Sequence, residues 1–148
     1  MPNFGTESKK NLETAHPQLQ ELFEEVVKYF DCKVLYGHRT PEEQFELYKK
    51  GRKLVNGKWI IADKSKVVTY LDGITKLSNH NTLPSTAVDV VPYTVDWKDL
   101  NRFYMFIGFV RAIAITKGIK IRSGGDWDGD TQVKDETFID LAHFELIL

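Results

Sequence analysis

The sequence contains one cysteine, Cys32, in 148 residues. A single thiol cannot form an internal disulfide and cannot build a cysteine-rich zinc cluster. Any metal site in this chain must therefore use nitrogen and oxygen ligands. The chain also lacks an excess of either sign of charge, since 20 basic and 21 acidic residues give a net charge of −1. That balance argues against a nucleic-acid-binding protein, which normally carries a basic excess or a basic stripe.

Long apolar runs are absent as well. The most apolar segment, residues 103–115, contains Arg111 and is shorter than the about 18 residues that a membrane-spanning helix needs. Residues 1–17 lack the apolar core of a secretory signal peptide. We therefore expect no membrane span and a protein that is made in the cytoplasm, with any later export by another route.

The composition is that of one globular domain, which we assign to residues 1–148. Hydrophobic residues make up 42% of the chain and charged residues 28%, as in soluble proteins that bury a core. Helical periodicity alternates with short apolar runs, which predicts an α+β fold. Helices are predicted over residues 17–30 and 41–50, and a third begins at Asp96 and Asp99 and ends at Gly118. Strands are predicted over residues 33–36, 87–91, 119–122 and 141–146. Asn56-Gly57 is a predicted hairpin turn.

A carboxylate interrupts one of these predicted strands. Asp89 lies within Ala87-Val88-Asp89-Val90-Val91, and a buried ionised carboxylate is costly unless it pairs with a cation or binds a metal. His80 precedes this run, and His143 lies in the last predicted strand, on the same face as Glu145. Two histidines and one carboxylate form a ligand set of catalytic zinc, which keeps a fourth position for water.

Each of these residues also has an ordinary interpretation. A histidine in a strand is more often a hydrogen-bonded structural residue, and a strand aspartate can pair with lysine or arginine. His16 precedes a proline at a helix start and is expected at the surface, while His38 follows a strand end and is either structural or close to a site. Composition and spacing alone leave the metal site and the structural interpretation open.

Three motifs, in this order, resemble the M15 family of zinc peptidases. They are Gly37-His38-Arg39-Thr40, then Ser78-Asn79-His80 followed by Ala87-Val88-Asp89, and finally Asp140-Leu141-Ala142-His143-Phe144. That family includes D-Ala-D-Ala peptidases of the VanX and VanY kind and the L-alanyl-D-glutamate endopeptidases that bacteriophages use as endolysins. Because Gly124-Gly125-Asp126-Trp127 precedes a His-Phe-Glu-Leu ending, the chain resembles the phage branch in particular.

The resemblance runs from about residue 37 to the C-terminus. Two departures stand out: the spacing between His80 and Asp89 is longer than in many family members, and Ala142 stands where the phage branch often has proline. Neither change removes a predicted ligand. The implied fold is a small antiparallel sheet that carries the zinc site, with helices packed on one face, as in Hedgehog-like and DD-peptidase-like domains.

For the metal centre, the resemblance implies one zinc ion held by His80, Asp89 and His143. Asp140 would be the general base that takes a proton from the attacking water. In a regular strand Asp140 and His143 would point to opposite faces, so Asp140 is expected in a turn before the strand begins. Glu145 is the rival base, although we favour a role in orienting a ligand.

Further residues are assigned to the substrate. Arg39 would stabilise negative charge on the carbonyl oxygen, and its alternative is a surface salt bridge with a glutamate of the following helix. Ser78, Asp126 and Trp127 would contact the substrate, and Gln44 would support the site without taking part in the chemistry.

The loop Asp126-Trp127-Asp128-Gly129-Asp130 places carboxylates at positions 1, 3 and 5, as the start of a calcium loop does. Its glycine falls at position 4 instead of position 6, so it is not a standard EF-hand. Some members of the phage branch are regulated by calcium through this loop. Two interpretations of this loop stay open. It either binds a regulatory calcium ion on Asp126, Asp128 and Asp130, or it is a solvated acidic loop that places Trp127 over the cleft.

The implied function is zinc-dependent cleavage of the L-Ala–D-Glu bond in the peptidoglycan stem peptide during host lysis. A holin-type protein is then expected to let the enzyme pass from the host cytoplasm to the cell wall. The expected partner is the stem peptide, with no nucleic acid, and the expected state is a monomer. The alternative within the family is a D-Ala-D-Ala carboxypeptidase or dipeptidase.

Two rivals come from other classes. A non-catalytic zinc module on the same fold, such as a wall-binding domain, would need neither Asp140 nor Arg39. A lysozyme-like glycosidase would need paired catalytic carboxylates and no metal, so the zinc content of the purified protein separates it from the other hypotheses.

Overall fold

The computed structural model of the chain describes all residues from Met1 to Leu148. A four-stranded sheet, a two-stranded hairpin and four α-helices make up its regular structure. In chain order the elements are α1 (Thr6–Glu13), α2 (Pro17–Val26), β1 (Cys32–Tyr36), α3 (Pro41–Lys49), β2 (Arg52–Val55), β3 (Lys58–Ile61), a 3-10 turn (Lys64–Lys66), β4 (Ala87–Pro92), α4 (Leu100–Thr116), β5 (Ile121–Ser123) and β6 (His143–Leu146). None of the helices combines the length and the apolar character needed to cross a bilayer.

The four-stranded sheet is antiparallel, with the strand order β1-β4-β6-β5. Every residue of the central strand β4 is buried. Asp89 of β4 lies directly opposite His143 of β6, and residues paired in this way share one face of the sheet. The strand register therefore brings two of the predicted ligands side by side.

The opposite face of the sheet is apolar and is covered by α1, α2 and α4. Phe144 points into this core because it alternates with His143 along β6. Its ring contacts Phe23 of α2 and Phe106 of α4 edge to face, with centroids 5.3 and 6.0 Å apart, an arrangement that aromatic pairs prefer. The predicted α+β class is confirmed, with one face of the sheet buried under helices and the other available for a site.

Local signals placed most elements correctly. The capping box at α3 is present, with Thr40 and Glu43 exchanging side-chain and backbone hydrogen bonds. Asn56 and Gly57 both have positive φ, 48° and 76°, as a two-residue hairpin turn requires. Asp99 caps α4 through a hydrogen bond from the Arg102 N–H at 3.2 Å.

Some boundaries differ from the prediction. The helix predicted over 17–30 ends at Val26, and residues 27–29 form a turn. The strand predicted over 119–122 is found at Ile121–Ser123. The last strand begins only at His143, because Leu141 and Ala142 form a turn before it.

Helix α1 is absent from the sequence prediction. Its residues are mostly polar and only Ser8 and Leu12 are buried, so no apolar periodicity marks it. Polar contacts attach it to β1 instead. Asn11 Nδ2 donates to the Val34 carbonyl at 3.0 Å, and the Val34 N–H donates to Ser8 Oγ at 3.1 Å.

Candidate metal centre

The three predicted ligands meet on the open face of the sheet. Their ligand atoms all lie within 4.8 Å of one another. Asp89 Oδ1 is 3.4 Å from His80 Nε2 and 3.6 Å from His143 Nδ1. All three side chains are buried, so the centre is shielded from bulk water. His80, Asp89 and His143, which the sequence analysis combined into one candidate site, are therefore neighbours in the fold.

His80 comes from the loop between β3 and β4 and is held by the segment after β1. Its Nδ1 lies 2.7 Å from the Gly37 carbonyl oxygen, so this nitrogen carries the proton and Nε2 is left as a free acceptor. The Arg39 N–H donates to the His80 carbonyl at 2.7 Å, and the His80 N–H donates to Ser78 Oγ at 3.2 Å. These contacts fix the ring with its Nε2 toward Asp89.

Two of the buried candidate ligand atoms have no hydrogen-bond partner, His80 Nε2 and Asp89 Oδ1. Buried polar atoms are normally satisfied, and each exception needs an explanation. Both atoms are acceptors that face each other across 3.4 Å, so neither can satisfy the other without an added proton or cation. A metal ion bound by nitrogen and oxygen ligands fits this pair of atoms and the adjacent His143 Nδ1.

The other oxygen of Asp89 is held by an arginine. Arg39 Nη2 donates to Asp89 Oδ2, and Arg39 Nη1 donates to Gln44 Oε1 at 3.0 Å. Gln44 is fully buried and also donates to the Leu71 carbonyl at 2.9 Å. Burial opposes ionisation of Asp89, but His80, His143 and Arg39 together hold its pKa well below the usual range. Asp89 is therefore a fixed, ionised carboxylate.

Arg39 does not form the surface salt bridge that was its ordinary alternative. Its side chain is 9% exposed and pairs with Asp89, while Glu43 is used in the α3 capping box. The guanidinium also lies over the Tyr36 ring, 4.5 Å from the centroid. Gln44 supports Arg39 as predicted.

Glu145 holds the second histidine. Its Oε1 lies 2.8 Å from His143 Nε2, and its Oε2 accepts from Asn79 Nδ2 at 3.0 Å and lies 3.6 Å from Arg122. Burial alone would lower the pKa of His143, but Asp89 and Glu145 raise it to about 9 in the metal-free protein. This contact leaves His143 Nδ1 turned toward Asp89, which is the orienting arrangement predicted for Glu145.

Asp140 lies in a turn just before β6, where the sequence argument placed it. Its carbonyl accepts from the His143 N–H at 3.1 Å, and its own N–H donates to the Gly124 carbonyl at 2.9 Å. The side chain lines the same cleft as the three candidate ligands. Burial and the negative charge of Asp89 raise the pKa of Asp140, which favours proton uptake.

The first glycine of the Gly124-Gly125-Asp126-Trp127 motif has a steric role beside this turn. A Cβ at Gly124 would overlap the carbonyl oxygen and carbon of Asp140. The two backbones also exchange a hydrogen bond here, so the Asp140 turn can lie this close only against a residue without a side chain.

Replacing Gly124 with alanine is expected to destabilise the protein by about 1–3 kcal/mol, because the backbone must shift to admit the methyl group. Turnover should fall by about tenfold or more, since a displacement of 1 Å near the chemistry can cost about a hundredfold. Gly108→Ala is the matched control, since a Cβ there meets nothing within 4 Å. Thermal unfolding measures the loss of stability, and kcat measures the loss of turnover. Equal stability and equal kcat of the Gly124→Ala and Gly108→Ala proteins would contradict the steric role.

The candidate centre opens into a cleft of about 380 Å³. Trp127 forms part of its wall: its Nε1 donates to the Phe138 carbonyl at 2.6 Å, and its ring lies 5.2 Å from the His143 ring. Ser78 also lines the cleft, and its contact with the substrate stays a prediction. No local pattern marks several other lining residues, because they come from separate loops and strand ends; they include Tyr36, Lys50, Val68, Trp97 and Phe138.

The structure places Asp126 outside this cleft. Its Oδ2 accepts from Arg111 Nη1 at 2.7 Å and from the Thr131 N–H at 2.9 Å, while its Oδ1 is buried without a partner. Burial opposes ionisation, but these two donors outweigh it and lower the pKa of Asp126. The carboxylates of Asp128 and Asp130 come within 4.8 Å of it. The geometry therefore associates Asp126 with the acidic loop and not with a substrate contact.

The two remaining histidines lie apart from the centre. His16 caps α2 by accepting from the Gln18 N–H at 3.1 Å. His38 lies with its Nδ1 2.9 Å from the Thr82 carbonyl oxygen. Neither lines the cleft. His38 therefore has the structural role that was one of its two alternatives, and His16, which was expected at the surface, is half-buried.

The chain is similar to known proteins over almost its whole length. The sequence matches the family described as phage L-alanyl-D-glutamate peptidase over residues 2–147. A relative, the L-alanyl-D-glutamate peptidase of Escherichia phage T5, is 28% identical over 152 aligned residues that cover 97% of each chain. A crystal structure of the Serratia marcescens L-Ala D-Glu endopeptidase ChiX matches this fold with a TM-score of 0.63 at 22% identity, over 98% of this chain and 90% of the other.

Proposed function

Since the chain belongs to the phage L-alanyl-D-glutamate peptidase family, an M15-like family of peptidases, we propose that it is a zinc endopeptidase that cleaves the L-Ala–D-Glu bond of the peptidoglycan stem peptide during host lysis. One observation carries this proposal. His80 Nε2 and Asp89 Oδ1 are buried acceptors without partners, and they lie beside His143 at the base of a cleft.

Zinc suits these ligands better than a hard cation does, because two of the three are imidazole nitrogens. When bound, it would polarise the scissile carbonyl and lower the pKa of a water molecule to about 7. The protein supplies the outer contacts: Gly37 holds His80, Arg39 holds Asp89 and Glu145 holds His143. Such contacts fix ligand orientation and tune affinity.

Asp140 is the proposed general base. Its carboxylate lines the cleft beside the ligands, and its raised pKa suits a group that must accept a proton from the attacking water and pass it to the departing amine. Glu145 is the weaker candidate, because both of its oxygens are engaged by His143, Asn79 and Arg122.

Arg39 has two proposed roles. Its contacts with Asp89 and Gln44 support a role in holding the carboxylate ligand. The predicted role on the carbonyl oxygen of the substrate would rest on the positive charge of the guanidinium group, because Arg39 also lines the cleft. Both roles use the fixed positive charge of arginine.

The cleft also suits an acidic peptide. Lys50 is exposed at its wall and takes part in no ion pair. D-Glu carries a free α-carboxylate next to the scissile nitrogen, so a cation near the centre can bind it. The apolar wall formed by Leu35, Trp97, Trp127 and Phe138 can pack against the alanine side and the peptide backbone.

Digestion of purified peptidoglycan tests the assignment of the bond. We expect new free amino groups on D-Glu and glycan strands that keep lactyl-L-Ala stubs, as identified by mass spectrometry of the products. Release of D-Ala alone would make the protein a carboxypeptidase of the same family, and new reducing sugar ends would indicate a glycosidase. Binding without any product would support a non-catalytic module.

We further propose that the acidic loop binds a regulatory calcium ion on Asp126, Asp128 and Asp130. Support comes from the proximity of the three carboxylates and from Asp126 Oδ1, a buried oxygen without a partner. Trp127 lies between the first two carboxylates in sequence and contacts the His143 ring, so an ion here can act on the cleft wall.

Calorimetric titration with calcium is expected to show one binding event that is lost in the Asp128→Asn protein. The same substitution should abolish any effect of calcium on kcat while leaving zinc content unchanged. Unaltered calcium binding in Asp128→Asn would contradict this site.

The route to the wall and the oligomeric state complete the proposal. We propose that a monomer is made in the host cytoplasm and that a holin-type protein lets it reach the peptidoglycan. Support comes from family membership and from a cleft built from a single chain. Lysis on co-expression with a holin, and its absence without one, is the expected result.

A further inference from the structure

The near-neutral net charge of the chain conceals a strongly uneven distribution. Residues 49–66, here called the cationic hairpin, contain seven basic residues and one acidic residue, a formal charge of +6 that leaves −7 for the rest of the chain. Two of the seven are paired, Lys49 with Glu46 at 2.6 Å and Lys66 with Asp63 at 3.7 Å. Lys53 and Lys58 have no ion pair and are exposed.

The two faces of this hairpin differ. One face is turned toward α3, where the Trp59 ring meets Phe45 at 6.0 Å between centroids and the Arg52 guanidinium lies 3.9 Å above the Tyr48 ring. Alternate cross-strand pairs point to opposite sides of a sheet. The outer face therefore carries the pairs Lys53–Ile60 and Val55–Lys58.

The outer face combines positive charge with exposed aliphatic side chains. On this face Val55 is 37% exposed and Ile60 is 43% exposed. Lysines next to partly exposed aliphatic side chains combine the two attractions, charge and apolar contact, that bind a protein segment to an anionic membrane interface.

The cationic hairpin also adjoins the mouth of the cleft. Leu47 just before it, Lys50 at its start and Val68 just after it line the cleft wall. Lys53, Val55, Lys58 and Ile60 are not part of that wall. The outer face is thus a separate surface beside the catalytic opening.

We propose that the outer face of the cationic hairpin docks on an anionic phospholipid surface. A dissolved polyanion, such as peptidoglycan or DNA, would pair with the lysines but leave Val55 and Ile60 in water. An anionic bilayer satisfies both, because its headgroups attract the lysines and its interface takes up the aliphatic side chains. The aromatic rings that could stack on sugars or bases are turned inward against α3. Docking here would hold the enzyme at a membrane next to the wall, independently of the bond it cleaves.

Co-sedimentation of the full chain with vesicles tests this surface. We expect binding to vesicles of phosphatidylglycerol and phosphatidylethanolamine, little binding to phosphatidylcholine alone, and weaker binding as salt rises. The double variant Lys53→Gln/Lys58→Gln should bind the anionic vesicles about thirtyfold more weakly, at about fivefold for each lysine near the surface. Ile60→Ser should weaken binding without changing its dependence on salt.

The matched control is Lys9→Gln/Lys10→Gln, which makes the same change of net charge on exposed residues of α1. Hydrolysis of a soluble stem peptide should be unchanged in the hairpin variants, which also shows that they fold. An equal loss of vesicle binding in the control would assign the effect to net charge and overturn the proposal. Binding of wild-type protein to sacculi or DNA through the hairpin lysines, without binding to vesicles, would overturn it as well.

Discussion

Replacing Asp140 with alanine is expected to lower kcat by about a hundredfold or more, the contribution typical of a positioned general base. The variant should keep its fold and its zinc, because Asp140 is not among the three candidate ligands and its structural hydrogen bonds come from its backbone. Stopped-time assays on a soluble stem peptide, with metal content determined on the same sample, check both expectations.

Glu145→Ala is the informative comparison for this prediction. It should raise KM little and reduce zinc affinity, since Glu145 holds the His143 ring and does not line the cleft. Loss of an outer ligand contact typically costs 10- to 100-fold in affinity or activity. If excess zinc restores Glu145→Ala but not Asp140→Ala, the two carboxylates have the assigned roles. An active Asp140→Ala protein and a zinc-loaded, inactive Glu145→Ala protein would reverse the assignment.

Removing a candidate ligand should abolish both zinc binding and peptidase activity. We expect this for alanine at His80, Asp89 or His143, because each supplies one of only three protein ligands. Treatment of the wild-type protein with a chelator should have the same effect on activity, with recovery on adding zinc. Two measurements on each variant decide the matter: its metal content by mass spectrometry and its hydrolysis of peptidoglycan. Full zinc occupancy in His143→Ala would exclude the proposed centre.

The three ligand variants are expected to differ in the stability of their folded state. Asp89→Ala leaves the Arg39 guanidinium buried without its carboxylate, and breaking a buried ion pair from one side costs about 3–5 kcal/mol. His143→Ala leaves no buried cation without its partner, so it is the cleaner test. His38→Ala serves as the matched control, because the His38 side chain makes a single hydrogen bond, to the Thr82 carbonyl outside the cleft. It should retain zinc and activity.

The candidate ligands were accessible from the sequence for a physical reason. Asp89 in an apolar strand is a local anomaly, since burial of a carboxylate must be compensated wherever the strand lies. The alternation of His143 and Glu145 with apolar neighbours is also local and fixes the face on which they lie. The turn at Asp140 followed from the same alternation. Motif order then supplied the family, and with it the pairing of these residues in one site.

What the sequence could not supply were the contacts between separate segments. Arg39 and Asp89 are 50 residues apart, and their ion pair depends on how the segment after β1 packs beside β4. The same holds for Asp126, whose carboxylate is turned toward Arg111 of α4 and away from the cleft.

Local patterns together with motif order therefore determined which residues are candidates for the chemistry, and local patterns determined on which face of a strand they lie, because burial and alternation act on every strand in the same way. The tertiary structure decided which neighbour each side chain meets: Arg39 on Asp89, Glu145 on His143 and the Asp140 turn against Gly124. Such pairs depend on strand register and loop path, which are set by packing of the whole chain and not by any one segment.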